Sequence, residues 1–398
     1  MNIRLLKNNN AIELVLLLLC PFLSLLCSIH GVYKGKLNNL WIISVVMSFA
    51  AFISPPFADL YRHTLDYLHF MKYEYDGYIF FGTSFDFVLY SLSHLFAKYN
   101  IPFEYVRAIF VFITYQCSFF IYRTILKQNN FSTNSIEGVC LFWIFFLTVP
   151  FIWIVNGLRM ATACYLAAVG YIFFEQKKYF IGAEFFIFSL CFHFGSLLFF
   201  PVFLYSIFPL IKINKKSFLI ISVLALGVGA LMFQFLPDSV IQNLNMEKQV
   251  DLYVNKSQEN FADTMSFNGL IAMYLERITL WGVLFCMLLG ISCVEHLYAS
   301  KIYAYFVFLF LLLPFTILYQ KFSLFIIPVI LFLFFRSIQG ERVYKWFVIL
   351  GIITTFSYMY GYRKPLLATP YYKLLTTPIY MFVNANTKET LNEASVLK

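Results

Sequence analysis

Apolar stretches of nearly bilayer-spanning length follow one another along almost the whole chain, and this constrains the fold more than any single motif does. A helix crossing a bilayer needs roughly 20 mostly apolar residues, because each adds about 1.5 Å against a hydrocarbon layer of about 30 Å. Runs of this kind occupy 11–29, 40–57, 105–122, 137–155, 160–175, 179–192, 195–211, 217–236, 269–292, 302–318, 322–338 and 344–362. Of 398 residues, 61% are hydrophobic and 12% charged, with a mean hydropathy of +0.75. Soluble domains carry about 25% charge and could not bury so much apolar side chain, so lipid is the expected solvent. The runs are continuous, not alternating, which disfavours a β-barrel. The 50 Phe and 28 Tyr suit helices that face lipid and end in aromatic belts. The expected fold class is all-α: a polytopic integral membrane helical bundle of about 12 transmembrane helices. A short interfacial or re-entrant helix is expected at 83–97, where Asp86, Ser91, Ser93 and His94 interrupt the apolar pattern.

The net charge of +9 reads as Lys and Arg retained in cytoplasmic loops, not as a nucleic-acid surface. Basic residues recur after alternate runs: Lys34 and Lys36; Arg123 and Lys127; Lys177 and Lys178; Lys212, Lys215 and Lys216; Lys301; then Arg336, Arg342 and Lys345. With these inside, residues 57–104, Asn156 to Arg159, the turn at His193 and Gly195, and loop 237–268 share the extracytoplasmic side. The same count puts Arg4, Lys7 and the tail outside. The expected organisation is one transmembrane domain, 1–362, with extracytoplasmic loops 57–104 and 237–268, and a partly disordered tail, 363–398. Loop 237–268 reads equally as a connector or a substrate lid. The eight cysteines lie in or at the ends of apolar runs and read as small core residues. Residues 14–27 read as a retained first helix, since no small-residue cleavage site follows them.

Ionisable groups at membrane depth cost roughly 2.5–3.5 kcal/mol to insert, so each is a candidate for function. Arg159 lies in Asn156-Gly157-Leu158-Arg159-Met160-Ala161, between two apolar runs. It is either an interface anchor or an anion holder whose planar fork suits phosphate. His193, in Phe192-His193-Phe194-Gly195-Ser196, is either a satisfied core histidine or a base for a hydroxyl on the same face as Arg159. Segment 55–86 holds Asp59, Arg62, Asp66, Glu74, Asp76 and Asp86 among tyrosines, a mixture that suits carbohydrate, although most of these acids would simply be solvated. Asp59 and Asp86 stand out because each borders an apolar stretch. Arg277 lies inside run 269–292 next to Glu276, and Lys321 lies at the turn expected between 302–318 and 322–338. Further cations converging on Arg159 would make a diphosphate site. No Walker A, H-E-x-x-H, G-x-S-x-G or D-x-D sequence occurs. No metal-ligand cluster is visible, so neither a metal nor another cofactor is expected.

The arrangement resembles the Wzy-type polysaccharide polymerases, especially their EpsG-like branch. The resemblance rests on Asp59 after the second run, Asp86 ahead of a short helix, Asn156-Gly157-Leu158-Arg159-Met160-Ala161, Phe192-His193-Phe194-Gly195-Ser196, and the basic residue Lys321 beside an aromatic-rich run. It covers most of 40–335. The Ala after Arg159 comes one position earlier than in the family pattern, and Ser196 one later. Lys321 stands where relatives often carry Arg.

This resemblance implies a GT-C-like, metal-independent membrane glycosyltransferase in a bacterial inner membrane. It would polymerise undecaprenyl-diphosphate-linked oligosaccharide repeat units into O-antigen, capsular or exopolysaccharide. Donor and acceptor would both be lipid-linked, and a flippase and a chain-length regulator would be its partners. Arg159, helped by Arg277 or Lys321, would stabilise the leaving diphosphate, and His193 or Asp59 would take the acceptor proton. Arg62, Asp86 and Asn156 would bind substrate. A lipid-linked oligosaccharide flippase or other transporter would share the run count, but related halves are expected there and none is evident. A sugar O-acyltransferase needs an early catalytic histidine, and His30 lacks an Arg-rich setting. A ligase joining polymer to a lipid core is a close relative of the leading reading.

Overall fold

The computed structural model describes residues 11–56, 59–72, 87–149, 151–207, 212–234, 294, 296–313, 316–337, 341–361, 367, 369–379 and 387. Every regular element among them is helical. The helices α6 (Glu104–Asn129) and α9 (Leu158–Glu175) are long and apolar enough to cross a membrane. Eight further apolar helices of 10–17 residues accompany them. The chain divides into two compact units: residues 1–166, 187–195 and 362–398, and residues 167–186 and 196–361.

The first unit begins with α1 (Ala11–Leu19) and α2 (Pro21–Tyr33). The sequence reading of one helix over 11–29 is corrected here. Cys20 is extended, with φ −151 and ψ 91, and Pro21 opens a new helix. Proline disfavours helical geometry at the residue before it but fits the first helical position. The chain folds back so that Ser24 Oγ donates to the Glu13 carbonyl at 2.8 Å. The run 137–155 is broken likewise, into α7 (Ile136–Leu147) and α8 (Phe151–Asn156). Pro150, lacking an N–H, stands between them.

The centre of this unit is α3 (Asn39–Phe52) packed on α6. Arg107, in the first turn of α6, is 1% exposed. Its guanidinium donates to the carbonyls of Ser54 and Phe52, just where α3 ends and its last carbonyls lack helical partners. Glu104 balances the charge, 3.3 Å from Arg107 Nη2. Thr387, from the C-terminal segment, donates to Glu104 Oε2 at 2.7 Å and accepts from the Phe103 N–H at 3.2 Å. Residues 369–379 belong to the same unit, where Lys373–Thr376 packs on α2.

Residues 57–72, expected as loop, contain the helix α4 (Asp59–Lys72). Leu60, His63, Thr64 and Tyr67 are all at most 3% exposed and fall at helical spacing, so α4 has one buried stripe. It packs on α5 (Phe87–Lys98), the short helix the sequence foretells, and on α8.

The second unit takes the last part of α9, the first part of α10 (Tyr179–Phe192), a 3-10 turn (Phe194–Phe199, from Ser196 on), α11 (Phe200–Ile207), α12 (Lys215–Gln234), α13 (His296–Leu312), α14 (Thr316–Ser337) and α15 (Glu341–Gly361). Helix α13 packs against both α12 and α14. Helices α9 and α10 approach so closely that a Cβ on Gly170 would stand 2.9 Å from the Gly182 carbonyl oxygen. Phe199 stacks on Phe325 with ring centroids 4.1 Å apart.

Two basic residues sit differently from their expected places. Lys301 is not a loop cation: it lies in α13, 5% exposed, with Nζ 2.5 Å from Glu175 Oε1. That oxygen also accepts from Tyr171 Oη at 2.8 Å and Ser206 Oγ at 2.9 Å, and Tyr171 meets Tyr305 at 2.7 Å. The partner carboxylate is what permits an ammonium to be buried. Lys321, expected in a turn, lies in the second turn of α14, since that helix already begins at Thr316.

A buried charge left without its partner costs about 3–5 kcal/mol. Glu175→Gln should therefore lower the thermal unfolding midpoint of purified protein sharply, and adding Lys301→Met should recover much of the loss. Strictly additive losses in the double variant would show that the pair is not coupled.

Candidate functional site

Two of the sequence-derived segments, those of Arg159 and His193, reach Phe110 in the first unit. Phe110 is one helical turn beyond Arg107, so the guanidinium that caps α3 also fixes its position. Thr162, one turn into α9 from Arg159, donates from Oγ1 to the Phe110 carbonyl at 3.3 Å and lies 3.1 Å from Thr114 Oγ1. From the other side, the Phe110 ring meets the Phe192 ring at 5.1 Å and 64°. Arg159 and His193 thus each lie within a turn of a side chain held by the same phenylalanine. Both are half-buried.

Local sequence explains each placement. Asn156 closes α8, Gly157 breaks the helix, and α9 starts at Leu158, so Arg159 falls in the first turn of an 18-residue helix. The leading N–H groups of that turn lack intrahelical acceptors and present partial positive charge beside the guanidinium. His193 follows the last residue of α10, its N–H still bonded to the Ser189 carbonyl at 3.0 Å. Gly195 makes room for the imidazole: a Cβ there would stand 2.9 Å from His193 Nε2.

Helix α4 flanks this end through its packing on α8. Asp59 opens α4 and Arg62, three residues on, is exposed. The buried stripe behind them is polar: His63 Nδ1 is 3.6 Å from Asp66 Oδ2, and its ring meets Tyr90 edge-on at 6.3 Å. Tyr67 Oη donates to the Ile101 carbonyl at 2.5 Å. Burial and the nearby Glu104 charge push the Tyr67 phenol up to about 12.

Asp86 and Arg277 lie outside the described residues, as does loop 237–268. Lys321 belongs to the second unit. Among the described residues, no group of three or more His, Cys, Asp or Glu could hold a metal ion. The groups this end brings near one another are the Arg159 guanidinium in the first turn of α9, the imidazole one residue past α10, and the helix α4, which carries both acids and bases among its aromatic residues.

The sequence reading passes over Arg107, His63 and the Glu175–Lys301 pair. Arg107 carries the same signal as Arg159, a cation within an apolar run, with Glu104 three residues before it. For His63 the signal is its place in the spacing Leu60, His63, Thr64, Tyr67.

No protein-family model, curated protein or solved structure matches this chain.

Two measurements bear on this geometry. Gly195→Ala should displace the imidazole and impair whatever reaction His193 serves while leaving the unfolding midpoint within a few degrees; an unaltered activity would detach His193 from the site. For Tyr67 the folded-state pKa is raised, so the neutral phenol contributes its full stability below pH 10, and that contribution is lost as pH rises through about 12. The midpoint of the wild type should fall more than that of Tyr67→Phe between pH 9 and 11.

Proposed function

We propose that the chain is a multi-pass bacterial inner-membrane glycosyltransferase that polymerises oligosaccharide repeat units carried on undecaprenyl diphosphate. The observation that carries this reading is that Phe110 holds both Thr162, one helical turn after Arg159 in α9, and Phe192, the residue before His193. Supporting it are the helical architecture, two helices of spanning length and the apolar composition. About 12 spans would then be counted over the full chain.

The reaction on this reading breaks the bond between the anomeric carbon of the growing glycan and its diphosphate, and forms a glycosidic bond to a hydroxyl of the next lipid-linked unit. The diphosphate leaves with the bonding electrons. Its growing charge is met by the Arg159 fork and the leading amides of α9, donors already in place before the bond breaks. The imidazole of His193 takes the acceptor proton; Asp59, heading α4, is the alternative base. Asn156 and Arg62 bind the glycan.

Arg159→Ala in a strain expressing the protein normally should abolish long surface glycan on a gel while lipid-linked single repeat units persist. Arg159→Lys should restore only a small fraction, because an ammonium cannot reproduce the two parallel bonds. Normal chain length in the Ala variant would refute the assignment. Repeat units trapped on the cytoplasmic leaflet would favour a flippase.

A further inference from the structure

Arg123, counted among the cytoplasmic loop cations, sits near the end of α6 on the wall of a cleft of about 370 Å³. The other walls are Leu14 of α1, Asn38, Trp41 and Ile42 around the start of α3, and Gln116 one face up α6. Arg123 Nη2 donates to the Leu37 carbonyl, which holds the guanidinium in place. Its Nε is buried and has no hydrogen-bond partner, and among the described residues no carboxylate pairs with Arg123. Glu13, which precedes the lining residue Leu14, is already engaged elsewhere: Oε1 lies 3.4 Å from Lys36 Nζ and 3.4 Å from Asn39 Nδ2. Gln116 is likewise committed, donating to Ser44 Oγ at 2.8 Å. A partly buried guanidinium with no counter-charge is costly, and a buried N–H left unmade costs a further 1–3 kcal/mol or so.

The rest of the cleft is apolar and open. Leu14 is 43% exposed and Trp41 46%, and the indole is held edge-on by Phe112 at 6.5 Å. An anion that brought its own apolar chain would satisfy both halves. Free phosphate would meet the guanidinium but leave Leu14, Ile42 and Trp41 uncovered. Tryptophan beside Lys34, Lys36 and Lys127 is also the pattern of a membrane–water boundary, and basic clefts between helices on the cytoplasmic side suit anionic head groups.

We infer that this cleft binds one anionic phospholipid of the cytoplasmic leaflet, its phosphodiester on Arg123 and an acyl chain along Leu14 and Trp41. The inference rests on the membrane reading of the proposed function but not on the polymerase chemistry. The lipid would bridge α1, α3 and α6, and so tie the fold-back of the first two helices to the centre of their unit.

The test is native mass spectrometry of the purified full-length protein, delipidated and then offered phosphatidylglycerol or phosphatidylcholine. Both lipids offer a phosphodiester to Arg123, but phosphatidylcholine adds a quaternary ammonium that the guanidinium and the neighbouring lysines repel, so the wild type should retain one phosphatidylglycerol with a preference of about tenfold, or about 1.4 kcal/mol. Arg123→Gln should reduce the preference to about twofold or less. Since Arg123 also holds Leu37, a second variant is needed: Asn38→Asp, at an exposed position, should cut phosphatidylglycerol retention several-fold and leave phosphatidylcholine unchanged. A wild type without preference, or an unchanged preference in Asn38→Asp, would overturn the inference. Displacement of phosphatidylglycerol by equimolar inorganic phosphate would overturn the lipid assignment. A chain recovered from cells without detergent would refute the membrane reading itself, an outcome separate from lack of lipid preference.

Discussion

The buried guanidinium of Arg107 fixes the first unit. It joins the end of α3 to the start of α6 by donating to the carbonyls of Phe52 and Ser54, and Glu104 on the same turn neutralises it. The segment that carries α4 and α5 leaves and returns at this junction, with Tyr67 bonded back to Ile101. One turn beyond Arg107, Phe110 receives Thr162 from α9 and Phe192 from α10. The end of the unit where Arg159 and His193 lie is therefore built outward from one ion pair. Removing either charge would strand the other in an apolar setting, at a cost of about 3–5 kcal/mol, and would loosen every element attached there. Thr387 joins the same pair, so the C-terminal segment is part of the junction.

Much of this architecture is legible in the sequence, for a physical reason. Hydropathy reports how long a helix can run before it needs polar company, and α3, α6, α9, α10, α12, α13, α14 and α15 all fall on apolar runs. What hydropathy cannot report is a break inside an apolar run. Pro21 and Pro150 each divide a run that reads as one helix, because backbone geometry and not side-chain polarity decides there. The helix α4 escapes for the opposite reason: its buried stripe is made of His63, Thr64 and Tyr67 as well as Leu60, so polarity hides a helical period.

The same limit applies to charge. A cation near the end of an apolar run reads as a solvated loop residue, and Lys301 is instead buried on Glu175. The two are more than 120 residues apart, and only tertiary packing shows that they meet. Arg159 and His193 are easier, since each combines a polar group with a glycine that breaks the helix nearby: Gly157 before Arg159 and Gly195 after His193. The chemistry proposed for them asks for little movement. Thr162 and Phe192, which neighbour Arg159 and His193 along their helices, are both held on Phe110, and on the proposed reading such prior placement is what electrostatic catalysis requires.

The central claim is that this end of the molecule transfers glycans between lipid diphosphates. The most direct test reconstitutes the purified protein in lipid vesicles with a synthetic repeat unit on a polyprenyl diphosphate, and analyses the lipid-linked products by chain length. The account predicts a ladder of multiples of the repeat, with release of free polyprenyl diphosphate in equal number to the bonds formed, and neither product from Arg159→Ala. Repeat units that cross the bilayer without growing, or a ladder undiminished in the Arg159 variant, would contradict it.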